Sequence, residues 1–451
     1  MSDDLWHQPA LGARVGLLHR ARLGDGRLVD ITLDDGVIVR VAPTRDTGPT
    51  GPTGNLRSEA GAAQPAAAAM SVDLAGRLLL PALVEPHAHL DKALLTLPGT
   101  GPGLMAAVRA WIEHYPERTV EEISARAVRA AGEYVRHGVG TLRTHADAGP
   151  AIGTRAVGAL AGIRDTLRDV VAVQVVALTG VPLTGAAGAP ARAAAAAALD
   201  AGADLLGGAP WLDPDPRGAL EFLVGLAADR GVGLDVHLDE TTNPAVQNLP
   251  GLLTAVRGFP GAVTASHAVS LGSAEPHRQE EIAAQLAEAG IGVVTLPRTN
   301  LWLQEREVPT GPRRGLTAVR ALLDAGVAVA AGTDNLRDAF NPYGPADPLD
   351  VARLLATVAD VDRSEALALV TTSAARVVGA ATDRRACGGD ITPGSPADLV
   401  VVGAHDAGEA LARVPADRLV LHGGRVVARR ALLEEDAVTA ERPGRLPRPS
   451  L

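Results

Sequence analysis

Residues 77–92 read RLLLPALVEPHAHLDK, an apolar run that ends in two histidines, an acid and a lysine. A strand with one wet face would alternate polar and apolar residues. This one does not, so both of its faces are to be buried, as in a parallel sheet covered by helices. Seven more such runs follow: VGTLRT (139–144), VVAVQVVAL (170–178), ADLLGGAP (203–210), VGLDVH (232–237), AVTASH (262–267), IGVVTLP (291–297) and VAVAAGT (327–333). Amphipathic segments lie between them, among them EEISARAVRAAGEYVRHG (121–138) and EEIAAQLAEAG (280–290), each stopped by a glycine. Eight strand–helix repeats predict an α/β chain folded as a (β/α)8 barrel of the TIM type.

The flanks have a different pattern. Residues 14–43 alternate in short runs split by Gly24-Asp25-Gly26 and Asp34-Asp35-Gly36, which reads as consecutive hairpins. The tail from 390 to 435 returns to hairpin-like strands. The two ends are expected to pair into one small composite β-sandwich domain, with parts at 1–74 and 386–451 and the barrel at 75–385. Residues 44–70, rich in Gly, Pro, Thr and Ala without periodicity, read as a flexible insertion.

Composition narrows the function. The 451 residues carry 42 Lys+Arg against 52 Asp+Glu, a net charge of −10 that argues against nucleic acid as a partner. A single cysteine, Cys387, excludes a disulfide framework and a cysteine-built zinc site, and suits a reducing cytoplasm. Neither a signal-peptide pattern nor a long uncharged apolar run is found, so the expectation is a cytoplasmic protein with no membrane partner. Aromatic residues make up only 2%, and the only lysine in the chain is Lys92.

In such a barrel the reactive groups sit at the C-terminal ends of the strands. Five of the twelve histidines (His87, His89, His145, His237 and His267) fall there. Alternation along a strand puts His87 and His89 on one side. With His237 from the fifth strand and Asp334 after the eighth, three nitrogens and a carboxylate can converge on one divalent ion, Zn²⁺ or Fe²⁺, leaving a position for water. Such an ion supplies water acidified to a pKa near 7. Glu240, three residues past His237, can reach that water without binding the ion, and can pass its proton to a departing amine. Asp334 is a second proton relay. Lys92, directly after the ligand strand, is an ammonium suited to a ring oxo group or carboxylate. Trp302 and Gln304, beyond the seventh strand, are expected in the pocket. Asp91 and Asp147 read as acids that order loops, and His145 as either pocket wall or support for the ligands.

Taken in order, PALVEPHAHLDK, RTHAD, DVHLDE, TASH and GTDN resemble the amidohydrolase superfamily, specifically its cytosine deaminase-like branch, over essentially the full length. The resemblance implies His87, His89, His237 and Asp334 as metal ligands, Glu240 as proton shuttle and His267 acting on the bound water or the oxyanion. It implies Lys92 on the substrate. Two-metal relatives bridge their ions with a lysine or carboxylate at the fourth strand; here that strand ends in Gly207-Gly208-Ala209-Pro210, which favours one ion.

The specificity residues differ from that pattern. Cytosine deaminases read their pyrimidine with a glutamine after the third strand, where this chain has Gly180; Gln174 lies within the strand. Asn335 follows Asp334, and Phe340 takes the place of a tryptophan lid. The expected activity is hydrolysis of an exocyclic C–N bond of a small nitrogen heterocycle, cytosine-like or triazine-like, with release of ammonia or an amine. Two alternatives are a cyclic amide or lactone hydrolase and a ligand-binding protein without catalysis. The oligomeric state is open, a homo-oligomer included.

Overall fold

The computed structural model describes residues 9–44, 69–97, 103–313, 315–379 and 389–431. Nearly all of the expected 44–70 insertion, and Cys387, lie outside the described residues.

Strands β1 (Val15–Arg22), β2 (Leu28–Asp34) and β3 (Val37–Pro43) form the expected antiparallel meander. Asp35 and Gly36 both adopt positive φ (42° and 78°) at the β2–β3 turn, the geometry that matches strand twist in a two-residue hairpin. β4 (Met70–Asp73) and β5 (Leu78–Pro81) add parallel to β1. The barrel strands follow as β6 (Leu83–Ala88), β7 (Val139–Ala148), β8 (Ala172–Thr179), β9 (Leu205–Gly208), β10 (Gly233–Leu238), β11 (Val263–His267), β12 (Gly292–Thr295) and β13 (Val329–Ala331). β14 (Leu399–Val402), β15 (Arg418–His422) and β16 (Arg425–Arg430) return to the first sheet, where β14 pairs antiparallel with β5.

The run 77–92 therefore serves two sheets: Leu78–Pro81 pairs in the end sheet, and the barrel starts at Leu83. The end sheet curls round a core of its own, Leu18, Ile31, Ile38, Leu79, Leu399 and Leu421 among others. Strand alternation sends the neighbouring Leu78, Leu80, Val400 and Val420 into the barrel's core instead. That shared packing seats the composite domain on the barrel.

β6 to β13 run parallel in sequence order, and a parallel bridge between Ala88 and Asp334 joins the last strand to the first. The helix Val120–Arg136 is capped by Thr119, whose side chain accepts from Glu122 N. The barrel interior carries an ion pair: Arg143 on β7 donates to Asp235 Oδ2 (2.8 Å), Thr264 Oγ1 (3.1 Å) and Gln174 Oε1 (3.0 Å). Among the described residues no helix is long and apolar enough to cross a membrane.

Candidate active site

The ends of β6, β10 and β13 bring four of the predicted residues together. His87 Nε2 is 3.2 Å from His237 Nε2, which is 3.3 Å from His89 Nε2. Asp334 Oδ1 stands 3.3 Å from His89 Nε2 and 3.8 Å from His87 Nε2. Donor atoms on a tetrahedral ion, each about 2.0–2.1 Å from it, stand ~3.4 Å apart. His267 and Asp334 hold φ at 71° and 65°, a left-handed backbone that costs about 1–3 kcal/mol outside glycine and concentrates at functional sites.

The electrostatics fit a cation. Burial, reinforced by neighbouring positive charge, pushes the His87, His89 and His237 imidazoles well below their ordinary range, so their lone pairs are free. Burial and the acids Glu240, Asp338 and Glu85 push Asp334 well above its ordinary value, a cost that a divalent cation would remove. Both Asp334 oxygens lack a hydrogen-bond partner among the described residues, although the residue is only 2% exposed. Buried polar atoms are ordinarily paired. The chemistry of this buried donor set fits a divalent cation.

Its floor fixes one tautomer. Ser266 Oγ donates its single hydrogen to Asp235 Oδ1 (2.7 Å) and lies 2.9 Å from His87 Nδ1. It can only accept from His87, so Nδ1 carries the hydrogen and Nε2 is left as a lone pair. Burial raises the Asp235 carboxyl, but His145, Arg143 and Ser266 outweigh it and hold the group below its ordinary value. His145 is fully buried and does not line the cavity; its ring lies 4.0 Å from that of His87 and its Nε2 3.5 Å from Asp235 Oδ1.

Glu240 and His267 face the cavity beside these atoms. Burial raises Glu240 to about 8. Its Oε1 lies 3.5 Å from His267 Nδ1, which donates to Asn300 Oδ1 (3.1 Å) and leaves His267 Nε2 without a partner.

The cavity, about 290 Å³, is also lined by Lys92, Asn335, Phe340 and Gly180, as expected from the sequence. Two expectations need correction. Trp302 does not line it but lies under Arg306, 3.8 Å from its ring centre, in a separate surface recess with Tyr343. Gln304 is turned away too, because its amide donates to the Glu240 carbonyl (3.1 Å) and so supports that residue from behind. Asn335 reaches the cavity while its amide NH₂ is donated to Asp338. In their stead Trp111, Tyr115 and Trp211 form the aromatic walls, and Asp147 joins the lining. Scarcity was the available signal, since four tryptophans and three tyrosines in 451 residues make each one worth placing. A Cβ on Gly180 would come within 3.3 Å of Gly149 Cα, so this wall is closed by glycine packing against glycine.

Known proteins place the chain. A family model described as amidohydrolase family matches residues 116–428. A pterin deaminase of Rhizobium rhizogenes is 33% identical over 368 residues, covering 79% of this chain and 82% of its own. An N-isopropylammelide isopropyl amidohydrolase of a Pseudomonas species is 27% identical over 380 residues, covering 79% and 88%. The structure of 5-methylcytosine deaminase from Klebsiella pneumoniae with 5-fluorocytosine superposes with a TM-score of 0.80 at 27% identity, covering 93% of this chain and 99% of that one. The barrel, the histidine–aspartate cluster at its mouth and these matches agree: the chain belongs to the amidohydrolase family.

Proposed function

We propose that the protein hydrolyses an exocyclic C–N bond of a small oxo-substituted nitrogen heterocycle and releases ammonia or an amine. The observation that carries this reading is the convergence of His87, His89, His237 and Asp334 within 3.2–3.8 Å, with Glu240 on the same cavity. Those four residues would hold one divalent ion, Zn²⁺ or Fe²⁺. A Cβ at Gly207 would run into the Asp235 carbonyl, and one at Gly208 into Thr179 Oγ1, so β9 has no room for a bridging side chain and a single ion is favoured. A divalent ion there supplies water acidified enough to be a nucleophile at neutral pH.

The remaining chemistry belongs to the side chains. Glu240, whose burial keeps its acid and base forms close in energy near neutrality, takes a proton and returns it to the departing nitrogen. His267 Nε2, neutral and unpaired, accepts a hydrogen bond from the attacking or leaving group. Lys92 holds a ring oxo group. Asp91, 3.1 Å from its Nζ, already offsets its charge, so the contact is a hydrogen bond and gives no special favour to an anion. Phe340, Trp111 and Trp211 give the ring apolar walls, Asn335 borders the same cavity, and Trp302 and Gln304 are left out of the substrate set.

The resemblance to the pterin deaminase, together with three aromatic walls, favours a bicyclic oxo-amino ring over a pyrimidine. The test is release of ammonia from pterin and 5-methylcytosine, and of isopropylamine from N-isopropylammelide, by metal-reconstituted protein. Ammonia from pterin supports the reading. Ring opening without ammonia or amine from any of the three overturns it.

A further inference from the structure

Asp147 lies on the same cavity wall as Lys92, and its two oxygens are in unlike situations. Oδ2 accepts from Trp111 Nε1 and lies 3.3 Å from Lys92 Nζ. Oδ1 takes part in none of the hydrogen bonds among the described residues. The neighbouring Asp91 behaves differently. It is 1% exposed, does not line the cavity, and has both oxygens engaged, Oδ1 by Lys92 and Oδ2 by Lys92 and the Asp147 amide. Asp91 is the internal counter-ion of the lysine. Asp147 is a second carboxylate on one ammonium, and it leaves an excess negative charge and an open acceptor at the cavity surface. A carboxylate so placed needs a donor, and the described protein provides none for Oδ1.

The adjoining donor is Lys92. Its Nζ has three hydrogens, two of which suffice for Asp91 and Asp147; the third points towards His89 Nδ1, 3.3 Å away. When His89 Nε2 is a metal ligand, Nδ1 carries the ring hydrogen and no longer accepts, which turns the third Lys92 hydrogen to whatever fills the cavity. A donor and an acceptor side by side on one wall match a lactam or amidine edge, where a carbonyl oxygen or ring nitrogen neighbours an N–H.

We propose that Asp147 is a specificity residue that accepts a hydrogen bond from a ring N–H of the substrate, while the adjacent Lys92 donates to the neighbouring carbonyl. This rests on the function proposed above and adds to it the donor–acceptor edge that the ring must present. Trp111 is the positioning residue, because its indole N–H fixes Oδ2 and so aims Oδ1.

The experiment pairs a substrate change with a protein change. Metal-reconstituted wild type, Asp147→Asn and Asp147→Ala are assayed with pterin and with its analogue methylated on the ring N–H of the lactam. Asparagine keeps an oxygen for Trp111 and Lys92, so its fold should survive, while its NH₂ replaces the open acceptor. The wild type should prefer the N–H ring, and both variants should lose that preference by roughly 10- to 100-fold, the range expected for one unpaired buried donor. The loss should appear in KM more than in kcat, with metal content unchanged. Equal losses on both rings would reduce Asp147 to a support for Trp111 and overturn the proposal. A wild type that acts on neither pterin, N-isopropylammelide nor 5-methylcytosine refutes the functional reading itself, and this proposal with it. Turnover by the wild type with an unaltered ratio in the variants refutes the role of Asp147 alone.

Discussion

Ser266→Ala removes one hydroxyl from the floor of the metal site and keeps the Cβ. Two hydrogen bonds go with it, 2.9 Å to His87 Nδ1 and 2.7 Å to Asp235 Oδ1. Asp235 keeps Arg143 on its other oxygen, so the barrel's ion pair survives. His87, fully buried, loses the acceptor that held its hydrogen on Nδ1. The tautomer is then no longer fixed by that bond, and part of the population presents Nε2–H to the ion. Removing the partner that orients a ligating histidine typically costs 10- to 100-fold in metal affinity, or about 1.4–2.8 kcal/mol at 1.4 kcal/mol per decade. The assay is chelator-competition titration of the apparent Kd for Zn²⁺, with a melting curve as a folding control. Turnover at saturating metal should recover most of the wild-type rate, since the cavity groups are untouched. Asp235→Asn should do more harm: Arg143 requires an oxygen on its side, so the amide NH₂ faces Ser266 and reverses the relay. A Ser266→Ala protein with wild-type metal affinity would show that the Ser266 hydroxyl does not set the His87 tautomer.

Glu240→Gln should keep its metal and lose turnover by about 10²–10⁴-fold, the usual weight of general acid–base catalysis; undiminished kcat would remove Glu240 from the chemistry. Burial lifts Glu240 from 4.5 to about 8, so the metal-free fold holds a proton that the unfolded chain releases. This contribution to stability is complete below pH 4.5 and is lost as pH rises to about 8. The Tm of chelator-treated protein should therefore fall across that window, and fall less in Glu240→Gln; equal slopes would contradict the assignment. Lys92→Met should raise KM without altering metal content. It should also lower stability by about 3–5 kcal/mol, because the buried Asp91 loses its counter-ion; denaturant melts and steady-state kinetics check both effects.

The fold was legible because the eight apolar runs each carry their own local reason to be strands, and all eight became β6 to β13. His87, His89, His237, Glu240, His267 and Asp334 were legible for a related reason: in a barrel, the end of a strand is a position in space as well as in sequence. The lining was not. Trp111 comes from the helix Leu104–His114 and Trp211 from the turn after β9, elements whose reach over the barrel mouth is set by packing. Trp302 and Gln304 fail for the converse reason: they follow a strand end, but the short helix Pro297–Leu303 carries them away from the cavity. Asp147 read as an acid that orders a loop because a sequence does not reveal which of the two carboxylates beside Lys92 will line the cavity.

Metal analysis coupled to activity distinguishes a single-ion hydrolase from a two-ion or metal-free one. Metal per chain is counted by mass spectrometry in wild-type protein and in His237→Ala, and ammonia release from pterin is followed as chelated wild type is titrated with Zn²⁺ or Fe²⁺. Activity should saturate at one ion per chain, and the His237→Ala protein should lose metal and turnover together. Saturation at two ions per chain, or full turnover in metal-free protein, would contradict a single-ion hydrolase.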